Sequence, residues 1–237
     1  MSKPTLDQAV RLLNLAQEKN ISREQIQALF ERGLLSDLLD GNMDKVNREQ
    51  FRKILGLNTL PSIDWLATYR ELGLNVPGAI INRDDDFWYI PVLEGVTGNL
   101  VIATLRRLGI TCKLYTEDLD KCVIRNDRHP QNGAYTVKVA RRVEADEEFK
   151  NLSADQLKEQ NHSGITLLEY LLLFLGYYVT TKECLDTKNW TLCSGSSYSD
   201  GGVPSASWDP DSREFYVGWT PRGHARDSLR SREAVSG

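Results

Sequence analysis

The sequence predicts an α+β chain. A helical N-terminal domain over 1–76 is followed by a mixed domain over 77–237 that ends in a β-hairpin. Three observations carry this. Apolar residues in the first third recur at helical spacing. After Val76, β-rich and helical segments follow one another without the sustained alternation of a doubly wound sheet. Near the C terminus, two segments of period-two alternation flank a group of turn residues.

In the first domain, Leu6, Val10 and Leu13 give a helical face over 5–19. Ser22 with Gln25 forms a capping box for a helix whose apolar face is Ile26, Leu29 and Phe30, ended by Gly33. Ser36 caps a short turn through Leu39. Asn47 caps a helix through Leu55, and Ser62 starts another through Leu72 that Gly73 closes. Asp40 to Asp44 opens like a calcium loop. The register fails, with Lys45 where the loop needs Gly and Phe51 where it needs Glu.

In the second domain, Phe87 to Val92 is β-rich, Gly95 to Leu108 is helical and Ile110 to Tyr115 is β-rich again. That is a β–α–β order of the minimal length for one crossover. The Gly95-to-Gly98 turn lacks both the glycine spacing and the Lys-Ser/Thr of a phosphate loop. Ala134 to Val143 alternates and reads as a half-buried strand. Asp155 to Gln160 and Thr166 to Tyr178 are helical, and the latter is apolar enough to be a core helix.

Composition narrows the function classes. The chain has 237 residues, 41% hydrophobic and 26% charged, which suffices for a real core. A net charge of −4 has the wrong sign for a general nucleic-acid binder. No apolar run is long enough to span a bilayer, and the start at Met1 to Pro4 lacks the apolar core of a signal peptide. A cytoplasmic location is expected. Cysteines at 112, 122, 184 and 193 show no CxxC spacing, and only three histidines exist, so neither metal nor other cofactor is expected. Free thiols are expected, with a Cys184–Cys193 pair as the alternative.

The pattern is clearest after Trp190. That stretch holds five Arg and no Lys, which fits a contact surface better than a generic solvated face. Asp209, Pro210, Asp211 and Ser212 are turn chemistry. On the flanking strands Phe215, Val217 and Trp219 share one face, and Glu214, Tyr216, Gly218 and Thr220 share the other. Ala206 and Trp208 likewise oppose Ser205, Ser207 and Asp209. The expectation is a hairpin with a buried aromatic face and an exposed face of small and polar residues. A polar loop follows, then a closing strand containing Leu229 and Val235. Short hydrogen-bonding residues among aromatics are the composition of adaptable binding surfaces.

These residues carry a resemblance. The segment from Trp190 through Cys193, Tyr198 and Pro204, then Trp208, Phe215, Val217 and Trp219, then Leu229 to Ser236, resembles the C-terminal end of variable proteins of diversity-generating retroelements from candidate-phyla bacteria. The match covers the chain from Trp190 to its end. In such systems a reverse transcriptase copies a template repeat with changes at adenines, and the copy replaces the 3′ end of the target gene. The resemblance implies a C-type lectin-like fold for 77–237 and a non-enzymatic ligand-binding role. It implies a framework of Trp208, Phe215, Val217, Trp219, Leu229, Arg230 and Arg232. The diversified, ligand-binding positions would be Ser205, Ser207, Asp209, Tyr216, Gly218, Thr220, Arg222, His224, Arg226 and Ser228, with Tyr198 and Gly202 added, within about 196–230. The chain lacks the Glu-Pro-Asn motif of calcium-dependent lectins, so calcium-dependent sugar binding is not implied. A broad face predicts a macromolecular partner, a protein, with no membrane and no nucleic acid.

Two alternatives remain at this level. A DNA-associated regulator would use the N-terminal helices, with Arg48, Arg52 and Lys53 on 47–55, although no dense basic stripe surrounds them. A small hydrolase would use the polar loop 126–133, with Asp127, Arg128 and His129 in acid–base roles. Asp84, Asp85 and Asp86 read as a solvated turn rather than a cation site.

Overall fold

A computed structural model describes residues 21–31, 60–76 and 87–236. The helices expected over 5–19 and 47–55, the turn after Ser36, the Asp40–Asp44 segment and the Asp84–Asp86 run lie outside the described residues. Contacts divide the chain into two compact units, 1–60 and 61–237.

In the first unit, helix α1 (Arg23–Glu31) carries the expected capping box. The Ser22 N–H donates to Gln25 Oε1 at 2.7 Å, and the Gln25 N–H donates to Ser22 Oγ at 3.2 Å. Both orphan donors of the first turn are thereby satisfied.

The second unit begins with α2 (Trp65–Glu71). Its cap is Asp64, whose carboxylate accepts from the Ala67 N–H, rather than Ser62. The sequence reading placed this helix in the N-terminal domain, with a boundary after residue 76. It belongs instead to the second unit, because it packs on the central helix α6 (Leu167–Thr181). Gly176 of α6 permits that packing: a Cβ there would lie 2.7 Å from Ile63 and 3.0 Å from Trp65.

Helix α6 is the core. Leu171, Leu172, Leu173, Phe174 and Leu175 have no exposed surface, and each contributes about 1.5–3 kcal/mol through burial. Thr166 and Glu169 form a reciprocal capping box at its start. Glu169 is fully buried, and Arg128 grips it with both ends of its guanidinium at 2.7 and 2.8 Å.

Two main sheets touch α6. The first joins β1 (Phe87–Val92), β4 (Tyr135–Ala140) and β10 (Val235–Ser236) in the order β1-β4-β10, all antiparallel. Trp88 of β1 meets Tyr177 of α6 at 5.5 Å between ring centres. The second has five strands in the order β2-β8-β7-β5-β9. They are β2 (Thr111–Leu114), β5 (Trp190–Leu192), β7 (Val203–Asp209), β8 (Glu214–Thr220) and β9 (Leu229–Arg230). Phe215 of β8 packs on Phe174 at 4.2 Å. A small ribbon pairs β3 (Val123–Asn126) with β6 (Ser196–Tyr198). Between them run α3 (Gly98–Arg107), α4 (Leu119–Cys122) and α5 (Ala154–Glu159).

The class is therefore α+β, but two expected connections differ. The β–α–β order of β1, α3 and β2 does not make a crossover within one sheet: β1 belongs to the three-stranded sheet, whereas β2 pairs in parallel with β8. The closing strand is two short strands in different sheets, one at Leu229 and one at Val235. The bend between them is held by Arg232. Its guanidinium is buried, donates to the Arg142 and Val143 carbonyls and meets Asp186 Oδ1 at 2.9 Å. Burial pushes the Asp186 carboxyl up. Arg232, the Tyr170 and Thr191 hydroxyls and the Ala145 N–H all donate to it and favour its charged form.

The hairpin itself forms as expected, and it pairs Val203 opposite Thr220 through Asp209 opposite Glu214. Its turn follows from Asp209. Oδ1 accepts from the Asp211 N–H at 2.9 Å and Oδ2 from the Ser212 hydroxyl at 2.8 Å, while Arg213 takes a left-handed φ of 55°.

Candidate functional site

The β7–β8 hairpin has two covered faces rather than one. Ala206, Phe215 and Val217 are buried on one face, where Phe215 packs on Phe174 of α6. The opposite face carries Ser205, Ser207, Tyr216, Gly218 and Thr220, and it too lies under a layer. Trp190 of β5 rests over Gly218, with its ring 3.4 Å from where a Cβ would be. The Arg226 guanidinium lies over the Trp190 ring at 5.5 Å from its centre. Ala154 and Leu157 of α5 extend this cover, packing with Leu192, Val203 and Leu229.

This corrects part of the expected binding face. Tyr198, Gly202, Ser205, Ser207 and Thr220 are buried. Ser205 and Thr220 satisfy each other at 2.9 Å. Tyr198 donates its hydroxyl to the Gly218 carbonyl. Asp209, Tyr216, Gly218, Arg222 and Ser228 are half-buried, and His224 and Arg226 are exposed. The expected framework is also altered at one place. Phe215, Val217, Leu229 and Arg232 are buried and Trp208 is half-buried, but Trp219 is 40% exposed.

Part of what remains accessible gathers around Trp190. Its ring lies 6.1 Å from that of Tyr216, and its backbone N–H donates to the Ser228 carbonyl at 2.7 Å. Together with Trp208, Asp209, Lys188 and Asn189, these two rings line a cleft of about 240 Å³ at the turn end of the hairpin. The rim is fixed from behind by Glu144, which accepts from the backbone N–H groups of Thr187, Lys188 and Asn189 and from the Thr187 and Asn189 side chains. Tyr216 is held by its hydroxyl, which donates to Glu214 at 2.6 Å. Two aromatic rings among fixed polar groups can bury an apolar surface and orient its hydrogen bonds.

Arg222 and His224 sit apart from this cleft. Arg222 is tied to α5 through Asp155 at 3.0 Å, and it lines a second cleft of about 210 Å³ with Arg125, Asp127, Lys158, His162 and Ser194. The His162 ring packs on Phe149 at 4.0 Å and its Nε2 has no hydrogen-bond partner; burial pulls its pKa down.

The loop 126–133 holds no assembled acid–base pair of Asp127 with His129. His129 Nδ1 accepts from the Gln131 N–H and caps a single 3₁₀ turn. Arg128 is engaged by Glu169, and Asp127 pairs with Arg125 at 3.0 Å. The four cysteines are free. Cys193 is buried, and burial pushes the Cys184 thiol up to about 12.

Sequence reasoning missed Trp190, Glu144, Lys188 and Asn189 as parts of the site. Trp190 had a signal, since it opens the C-terminal segment with the same Arg- and Ser-rich surroundings as the hairpin. Glu144 had none, because its partners lie over forty residues away. Among the described residues, no group of three or more His, Cys, Asp or Glu is placed to hold a metal ion, and no helix is long and apolar enough to cross a membrane. Comparison with protein families, with characterised proteins and with solved structures finds no match to this chain.

Proposed function

We propose that this chain is a non-enzymatic ligand-binding protein, a variable protein of a diversity-generating retroelement, whose second unit displays diversified positions on a C-type lectin-like scaffold. The observation that carries the reading is the gathering of Asp209, Tyr216, Gly218, Arg226 and Ser228 around Trp190. Asp209 also makes the turn; otherwise the residues that hold the backbone there are others: Phe215, Val217, Leu229 and Arg232. Such a separation lets exposed residues change while the fold stays fixed. The partner is a protein, met by the cleft and by the exposed loop through Arg222, His224 and Arg226.

Sequencing the DNA around the gene tests this. The expected result is a near-copy of the gene's 3′ end beside a reverse-transcriptase frame. The two copies would differ only where the repeat carries adenine, at codons for Asp209, Tyr216, Arg222, His224, Arg226 and Ser228. A genome with no such repeat overturns the reading.

A further inference from the structure

Trp219 projects from the opposite face of β8 to Tyr216 and Gly218, so it lies outside the surface assigned above. Its exposure is built in. Gly202 leaves bare backbone beneath the indole; a Cβ there would lie 1.7 Å from Trp219 Nε1. The indole N–H donates to Asp200 Oδ1 at 2.9 Å, and the Gly202 N–H donates to the same oxygen at 3.0 Å. Tyr115, 55% exposed, follows β2 and donates its hydroxyl to Asp200 Oδ2 at 3.1 Å. Its ring lies 6.3 Å from Trp219 at an interplanar angle of 33°, and it is backed by buried Tyr198 at 5.4 Å. One carboxylate thus pins two exposed aromatic rings side by side.

Among the described residues, the three donors to Asp200 are neutral. No lysine, arginine or histidine among the described residues forms an ion pair with it. The Trp219 hydrogen bond foremost, then the Gly202 N–H, holds its carboxyl below the usual range, so the charge is present at neutral pH. Oδ2 accepts from Tyr115 alone and has a lone pair to spare. Exposed aromatic faces carry negative potential and attract cations. An unmatched carboxylate between two such rings is complementary to a planar cation that can stack and donate at once, which is the chemistry of a guanidinium.

We propose that Tyr115, Trp219 and Asp200 form a docking site for an arginine side chain of a partner protein. The rings stack on the guanidinium, and the free lone pair of Asp200 accepts one of its N–H groups. The site stands independently of the retroelement reading, since none of its side chains belongs to the Trp190 cleft.

The test is a titration with N-acetylarginine amide followed through the Trp219 indole N–H resonance, assigned by its loss in Trp219→Phe. The expected result is a saturable shift with an affinity on the order of millimolar. Binding should weaken about fivefold or more in Asp200→Asn and in Tyr115→Ala, and should be unchanged in Asp211→Asn, an exposed control on the hairpin turn. The norleucine analogue should not bind. A non-saturable shift, equal binding of the norleucine analogue, or undiminished binding by both Asp200→Asn and Tyr115→Ala would overturn the proposal.

Discussion

Gly202 and Gly218 were both assigned by sequence to the variable surface, yet the structure separates them, and Gly→Ala at each position measures the difference. At Gly202 an added Cβ would lie 1.7, 2.3 and 2.4 Å from three atoms of the Trp219 indole. Real Cβ atoms essentially never approach within 3.0 Å, so the indole has to retreat by more than about 1 Å. Forcing a methyl group into an occupied space costs about 1–3 kcal/mol. Trp219 is 40% exposed and can swing outward, which puts the cost at the low end, about 1 kcal/mol. For a unit of this size that lowers the Tm by about 2–4 °C. At Gly218 the nearest atoms would be 3.4 Å away on Trp190 and 3.5 Å away on Ser205, ordinary contacts. Replacement there leaves stability unchanged or raises it by about 0.4–1 kcal/mol, because alanine restricts the unfolded chain. Urea unfolding followed by tryptophan fluorescence resolves the two. In Gly202→Ala the Trp219 indole resonance should also move. Equal stability of the two variants, or a Gly202→Ala protein with an unshifted indole, would refute the packing argument.

Arg232→Met should destabilise the protein by about 3–5 kcal/mol in chemical denaturation, since it strands the buried Asp186 charge; a loss under 1 kcal/mol would mean that Asp186 is not held by Arg232. Arg128→Met should also destabilise by several kcal/mol, because Glu169 at the start of α6 is fully buried and the remaining hydrogen bonds do not replace the charge. Burial lowers the folded-state pKa of His162 below its unfolded value near 6.5. The unfolded chain therefore takes up the proton first, and this contribution to stability is present above about pH 6.5 and lost as pH falls through it. His162→Phe should flatten the decline in urea midpoint between pH 7 and pH 5; an unchanged slope would contradict the assignment.

Local chemistry was legible wherever neighbours in sequence decide the structure. The Ser22–Gln25 capping box and the Asp209 turn both depend on residues within a few positions of one another. The apolar run from Leu171 to Leu175 could only be core. Alternation along β7 and β8 correctly divided the hairpin into two faces, but period two cannot tell whether a second face meets water or another layer. Trp190, Leu157 and Leu229 provide that second layer from distant parts of the chain, which is why Ser205, Ser207 and Thr220 were misjudged. Trp219 was misjudged in the opposite sense. It lies on the face shared by Phe215 and Val217, but its indole lies over Gly202 and is hydrogen-bonded to Asp200. The Asp127–His129 loop looked reactive because its residues are reactive types. The partners that engage Arg128 and His129, Glu169 and the Gln131 N–H, become visible only in three dimensions.

The central claim is that the accessible residues of the hairpin and the following loop, the turn-forming Asp209 aside, choose a partner without contributing to the fold. The most direct measurement is a displayed library with Tyr216, Arg222, His224 and Arg226 randomised together, scored for folding by protease resistance and selected on a single unrelated protein such as a lysozyme. Members should stay folded about as often as the parent, and selection should yield binders whose affinity disappears when the parental residues are restored. A second library randomised at Ser205, Ser207 and Thr220 should mostly unfold. If the first library unfolds as often as the second, or yields no binder from a folded population, these positions are not the binding surface.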